Sequence, residues 1–428
     1  MKHYDILIAG GGTAGAIAAI QAGRLGASVL LIEMTGQLGG TMTNGQVSGA
    51  AYFWSPLKQI IAGIGWELVQ KAVALGGTPP PDYMKRNPLR PSYHTGINRF
   101  LWALLTEEEC LKAGVDIHYH EVVTEIHDTG DGAWELRTAG KNTSGHYQVK
   151  EIIDCSGDAN IVQMLGYPVL QEKDRQPATL VFHIGGIDFD AIDENDLQRA
   201  YEAAMASGEL QPGDFCYTDR PFINFLKSGG SNQQHIFDCD TSTAEAQTQT
   251  SIRGRQSLLR LLRFIRRQKG CEKATVDSLA SMACARDTWR IVGEHTITYD
   301  EYMAATVFPD AVCNTLYFID VHNENGTHHE FLPPEKVPTL PFSAMIPKGS
   351  RRLLIAGRTV SSDKRAHSAL RIECTCMAMG QAAAVAAALG VKKGIASRDV
   401  PLDDIRTELQ RSGAILPPQQ LDNQTLLC

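Results

Sequence analysis

The chain has 428 residues, 43% of them hydrophobic, enough for two or three packed domains. A formal net charge of −8 offers no global field for nucleic acid or an anionic membrane. The ten cysteines are scattered with no C-x₂-C pair, which excludes the usual zinc and dithiol motifs and predicts buried free thiols, with no metal. The first apolar strand begins by Tyr4 and no apolar run reaches membrane-spanning length, so the expected setting is soluble and cytoplasmic, with no membrane partner.

In chain order, Ile6-Leu7-Ile8-Ala9 reads as a buried parallel strand. It runs into Gly10-Gly11-Gly12-Thr13-Ala14-Gly15, which fits G-x-G-x-x-G at Gly10, Gly12 and Gly15. Gly10 allows the tight turn, Gly12 leaves room for a pyrophosphate, and Gly15 lets the next helix lie close to its strand. That helix is rich in alanine, and its free N-terminal amides would face the phosphates. Ser28–Ile32 reads as a second strand that delivers Glu33, 23 positions after Gly10, where a carboxylate accepts ribose hydroxyls. Met34 and Thr35 follow with no arginine for a 2′-phosphate, which disfavours NADP and leaves NAD and FAD.

A glycine-dense loop, Met34 to Gly49, follows the acid and suits a ligand longer than NAD lying along the backbone, with Gly39, Gly40, Thr41, Thr43 and Asn44 beside it. Gly76 to His94 is proline-rich and reads as a cover or binding loop. Asn98 to Lys112 reads as a helix with Phe100, Leu101, Leu104 and Leu105 on one side. Val115–Tyr119 and Val122-Val123 read as strand, and Ile152–Ile161 as a strand ending in a Ser156-Gly157 turn. An amphipathic helix stacks Leu258, Leu261, Leu262 and Ile265 opposite Arg260, Arg263 and Arg267, a solvated row before it is an anion or membrane surface. Arg351–Ser362 reads as a buried strand stopped at Gly357-Arg358, and Cys376–Val391 as a helix with a flank of small residues.

Together, "DILIAGGGTAG…E", "IIDCSGDANI", "ARDTWRIVGE", "FPDAV…YFIDVH" and the long segment Leu340–Ala384 resemble the FAD-dependent oxidoreductases of the glutathione-reductase-like superfamily, relatives of the fumarate reductase flavoproteins. The likeness covers about the first 50 residues, then about 150–190 and about 280–390. It implies an α/β fold: a Rossmann-like, doubly wound parallel sheet built from both chain ends, with an inserted mixed α+β substrate domain. The expected division is 1–165 and 338–428 for FAD, and 166–337 for the substrate or cap domain.

By the same resemblance, Gly10, Gly12, Thr13, Ala14 and Gly15 would hold the FAD pyrophosphate and Glu33 the adenosine ribose. Gly39, Gly40 and Thr41 would follow the ribityl chain, Val123 the adenine edge, and Ser156-Gly157 the diphosphate side. Gly357-Arg358 would reach the ribityl phosphate, and the helix starting near Cys374–Cys376 would aim its N-terminus at the flavin N1 edge. The loop Thr41–Asn44 carries no histidine or cysteine for covalent attachment, so non-covalent FAD is expected.

Flavin chemistry needs orientation and proton handling from the protein. Of thirteen histidines, His94, His322 and His367 lie in or beside these segments. Arg286, Arg290 and Arg371 are candidates to clamp a carboxylate or stabilise reduced flavin, or else internal ion pairs, the latter favoured for Arg290. His367 and Arg371 lean functional. The expected activity is that of an FAD-dependent dehydrogenase, oxidase or reductase acting on a polar small molecule. A flavin monooxygenase and a non-catalytic flavin-binding or RNA-modification scaffold are the alternatives. The substrate, the reaction direction, the external electron donor or acceptor and the oligomeric state, a homo-oligomer included, are open at this level.

Overall fold

The computed structural model describes residues 1–77, 94–217, 220–324 and 326–418. Most of the proline-rich stretch from Gly76 to His94 therefore lies outside the described residues.

The apolar run at Ile6–Ala9 is the buried half of strand β1 (Lys2–Ala9). Its Ile6, Leu7 and Ile8 are completely buried, each contributing about 1.5–3 kcal/mol. Helix α1 (Thr13–Arg24) follows, then β2 (Val29–Glu33), parallel to β1. Helix α2 (Arg99–Lys112) has Asn98 as N-cap, its side chain accepting from the amides of Phe100 and Leu101. It buries Trp102, Thr106, Glu109 and Cys110 and leaves Phe100 and Leu104 exposed, the reverse of the expected face. Trp102 and Cys110 pack into the core on this inner face, where Glu109 is paired with Arg24 and Lys71.

Strand β3 (Asp116–Tyr119) extends the parallel sheet beyond β2. The next three strands, β4 (Glu121–Asp128), β5 (Trp134–Gly140) and β6 (Thr143–Asp154), form an antiparallel meander that the sequence reading did not foresee. The inner half of β6 then runs parallel to β1. Strand β7 (Leu353–Ile355), some 200 residues later, pairs parallel with β6 at Leu353↔Ile152. The order β3-β2-β1-β6-β5-β4, with β7 on β6, is a parallel-dominated α/β sheet built from both ends of the chain.

Helix α3 (Ala244–Ile265) belongs to a second hydrophobic cluster made from Phe182, Phe215, Phe222, Phe225, Leu258, Leu261 and Phe264. Beside it lies a three-stranded antiparallel sheet of Gly230–Ser231, Phe182–Gly185 and Thr275–Leu279. Arg260 pairs with Asp214 at 2.7 Å and Arg267 with Glu209, so two members of the arginine row are internally neutralised. From Ile291 onward, Ile297, Tyr302, Val312, Leu316, Ile319 and Leu340 return to the first core.

Helix α4 (Glu373–Lys393) is apolar all round because it is enclosed on all sides. It is the one helix among the described residues long and apolar enough to cross a membrane, which the sequence reading missed, but 83% of its apolar window is buried within the fold. It packs on α1, where the missing side chain of Gly380 admits the backbone of Ala14.

Candidate functional site

Helix α1 starts at the cap residue Gly12 with no side chain satisfying its first amides. Helix α4 starts at Ile372, likewise without a side-chain cap. Both N-termini open on one cavity of about 550 Å³. A helix start without a cap leaves backbone donors and positive partial charge available to an anion.

Of the residues expected to hold a cofactor, Gly10, Gly12, Thr13, Ala14, Glu33, Gly40, Thr41, Val123, Ser156, Gly157, Gly357, Arg358 and Cys376 line this cavity. Gly10 has φ +101°, and a Cβ there would meet the Cys155 carbonyl oxygen at 2.5 Å. At Gly12 a Cβ would meet only the Gly40 Cα, at 3.9 Å, so its missing side chain leaves open room beside the uncapped amides. Gly15 and Gly39 are not in the wall. A Cβ on Gly15 would strike the Gly10 carbonyl oxygen at 1.9 Å, so this glycine sets helix-to-turn packing. Gly39 shapes the second loop, its amide donating to the Gly11 carbonyl at 2.9 Å. Glu33 is buried, with Oε2 accepting from the Gly11 amide at 2.7 Å and Oε1 from the Thr35 amide at 2.8 Å. It fixes the turn while still facing the cavity.

Arg358 is placed differently from the expectation. Its guanidinium donates to the Gly157 carbonyl at 2.6 Å, the Ala285 carbonyl at 3.1 Å and Asp158 Oδ1 at 2.7 Å. Its charge is neutralised by Asp158, and it braces the Gly157 loop instead of being free for a phosphate.

His367 is a clear correction. It is fully buried, absent from the cavity wall, and held by Nε2 at 2.7 Å from the Arg358 carbonyl. Burial and the neighbouring arginines push its proton affinity far down. It is a backbone brace, and a proton role at the cavity has no geometric support. Arg290 is buried and pairs with Glu172 at 2.5 Å, an internal ion pair.

His94, His322, Arg286 and Arg371 do line the cavity. His94 is exposed, edge-on to Tyr52 and Tyr317. His322 sits on the strand Ile319–Asn323, with Nε2 3.1 Å from Asp320 Oδ2 and Nδ1 2.9 Å from His235 Nε2. A carboxylate accepts only, so Asp320 places the His322 proton on Nε2, and His235 donates to Nδ1. Burial opposes ionisation of Asp320, yet hydrogen bonds from His322 and His329 and the Arg371 charge hold its carboxyl well below the usual range. Burial, with the Arg286 charge, lowers His322 to about 4. At neutral pH the pair is therefore a carboxylate beside a neutral imidazole. Arg371 completes the group, 3.5 Å from Asp320 Oδ2.

Asp320, His235 and Glu373 escaped the sequence reading. Asp320 was detectable, because residues two apart on a strand share a face with His322. His235 carries no local signal. Glu373 stands in the first turn of α4 in the cavity wall, and burial raises it to about 7, against its own backbone amide and Arg371.

The chain matches the family model described as FAD dependent oxidoreductase over residues 5–409. It therefore belongs to the FAD-dependent oxidoreductase family, is an enzyme, and uses FAD. No curated protein matches it. Among solved structures it is similar to a geranylgeranyl bacteriochlorophyll reductase-like protein from Thermoplasma acidophilum, at 12% identity and TM-score 0.43, covering 96% of this chain and 83% of that one. It is also similar to OxyS anhydrotetracycline hydroxylase from Streptomyces rimosus, at 11% identity and TM-score 0.44, covering 96% and 66%. The aromatic hydroxylase CabE of angucycline biosynthesis matches at 13% identity and TM-score 0.32, covering 45% of this chain and 38% of that one. At these values the likenesses carry no reaction across.

The residues present fit FAD: two uncapped helix starts, open room at Gly12, and a buried acid ending β2.

Proposed function

We propose that this enzyme moves a hydride between a polar small molecule and non-covalently bound FAD, as a dehydrogenase, oxidase or reductase. The observation that carries this reading is the Asp320–His322 pair in the wall of the cavity that also receives the glycine turn. FAD supplies the two-electron chemistry when bound. The chain supplies placement and proton handling.

His322 is neutral near pH 7 and has Asp320 behind it, which is how an imidazole is oriented and its cation stabilised. A substrate O–H or N–H reaching Nδ1 in place of His235 can give up its proton there. In the reverse direction the same nitrogen returns it. Burial pushes the thiols of Cys155 and Cys376 up, so both stay protonated and weakly nucleophilic, in keeping with non-covalent cofactor binding.

Anaerobic mixing of the oxidised, FAD-loaded enzyme with pools of sugars, hydroxy acids, amino acids and amines tests the proposal by flavin bleaching. With a substrate found, His322→Gln should slow bleaching about 10²–10⁴-fold at unchanged FAD content. A wild-type rate in that variant would remove His322 from proton transfer.

A further inference from the structure

Arg286 is buried, with its residue only 6% exposed, and lines the cavity. Its partners are all uncharged: the Pro177 carbonyl at 2.6 Å, Thr179 Oγ1 at 3.0 Å and Asn232 Oδ1 at 3.5 Å. No carboxylate among the described residues pairs with it. The adjacent Asp287 is turned away, accepting from the Gln176 amide at 3.0 Å. Asp320 is already engaged by His322 at 3.1 Å, His329 at 3.1 Å and Arg371 at 3.5 Å. A buried guanidinium without a counter-ion is costly, and proteins keep one where something else supplies the charge.

The geometry of its bonds says which edge is free. The Pro177 and Thr179 contacts use Nη1, and the Asn232 contact uses one hydrogen of Nη2. The Nε–H has no partner among these bonds, and Nη2 makes only the long 3.5 Å contact to Asn232. Those two donors form the side of the fork that meets a carboxylate with two parallel hydrogen bonds. Thr179 and Asn232 stand in the same wall, so the free edge belongs to a polar recess of the cavity. The charge balance agrees: Arg286 and Arg371 face Asp320 and Glu373, and burial raises the Glu373 carboxyl to about 7, which weakens its negative charge near neutrality. This end of the cavity therefore has surplus positive charge at and below neutrality.

We infer that the substrate is a carboxylic acid whose carboxylate is bound bidentately by Arg286, next to His322. This rests on the reading of the Asp320–His322 end as the substrate's end. Arg286 lowers the proton affinity of both His322 and His235, which places its charge at this end. Carboxylate binding at Arg286 would in turn raise His322 toward a useful range for a base.

The test uses the oxidised, FAD-loaded enzyme and redox-inert probes: acetate, propionate and benzoate, with acetamide, propionamide and benzamide as neutral controls. Titration is followed by perturbation of the flavin absorption, which needs no turnover. The acids should perturb the wild type saturably and the amides should not. Arg286→Met should weaken the best acid by about thirtyfold or more, and Arg286→Lys, which keeps the charge but not the fork, by about tenfold, both at unchanged FAD content. Equal affinity in Arg286→Met, amides binding as well as acids, or no acid perturbing the wild type would overturn the inference. Loss of FAD from both variants would also overturn it, because the cofactor's own phosphate would then be the counter-ion. His322→Gln separates the two readings: it should bind the acids like the wild type. If that variant also bleaches at the wild-type rate, the proton role fails while the carboxylate site stands.

Discussion

Gly380 of α4 lies so close to Ala14 of α1 that a methyl group on Gly380 would come within 2.2 Å of the Ala14 carbonyl oxygen. Two helices from opposite ends of the chain thus touch backbone to backbone, and their uncapped starts share a cavity. The contact explains why the alanine-rich helix α4 needs small residues: any bulk would separate the two N-termini.

The two kinds of glycine in this cradle should respond differently to substitution. Gly380→Ala must push α4 from α1, at a cost on the order of 1–3 kcal/mol, lowering the melting temperature of the apoprotein and its FAD retention together. At Gly12 an added Cβ meets only the Gly40 Cα, at an ordinary 3.9 Å and an ordinary φ of −66°, so in Gly12→Val the apoprotein should melt near the wild-type temperature while FAD content falls at least about tenfold. Melting curves and released flavin measure both. Normal flavin content in Gly12→Val would show that the cofactor does not approach this turn.

His367→Ala should behave as a packing mutation. The side chain is fully enclosed and its Nε2 anchors the Arg358 carbonyl. We expect a loss of about 2 kcal/mol or more in stability and a matching drop in FAD retention. The rate of flavin bleaching in molecules that keep FAD should stay within a few-fold. A large rate loss at normal stability would return His367 to the chemistry.

Two buried carboxyls should contribute stability that falls as pH rises from about 4.5 to 7, against the opposite slope of the buried neutral His322 and His367. Burial raises both Glu373 and Glu151 from an ordinary 4.5 to about 7. A carboxyl that binds its proton more tightly when folded favours the folded state fully below its unfolded pKa. That contribution is lost as pH climbs through the folded value. Glu373→Gln should remove its share of this falling contribution, shifting the pH slope of apoprotein stability in the positive direction across this window, and leave the share of Glu151, which sits beside Arg352 at 2.8 Å. An identical slope in Glu373→Gln would mean that its carboxyl is ionised throughout.

The amino-acid sequence by itself determined the nucleotide half of this enzyme. Gly10, Gly12, Gly15 and Glu33 act within one strand–helix–strand unit, where spacing alone fixes which residues meet, so local pattern sufficed. The same holds for the strand at 353–355 and for helix α4. It did not reveal the meander at 121–154, whose pairing depends on partners outside each strand. Nor could it rank thirteen histidines. Only the tertiary structure set His367 behind the wall and brought His235 to within 2.9 Å of His322, 87 positions away. Only it left Arg286 without a carboxylate partner among the described residues. Burial and pairing of charge depend on what the rest of the chain places around a residue, and no spacing rule encodes that.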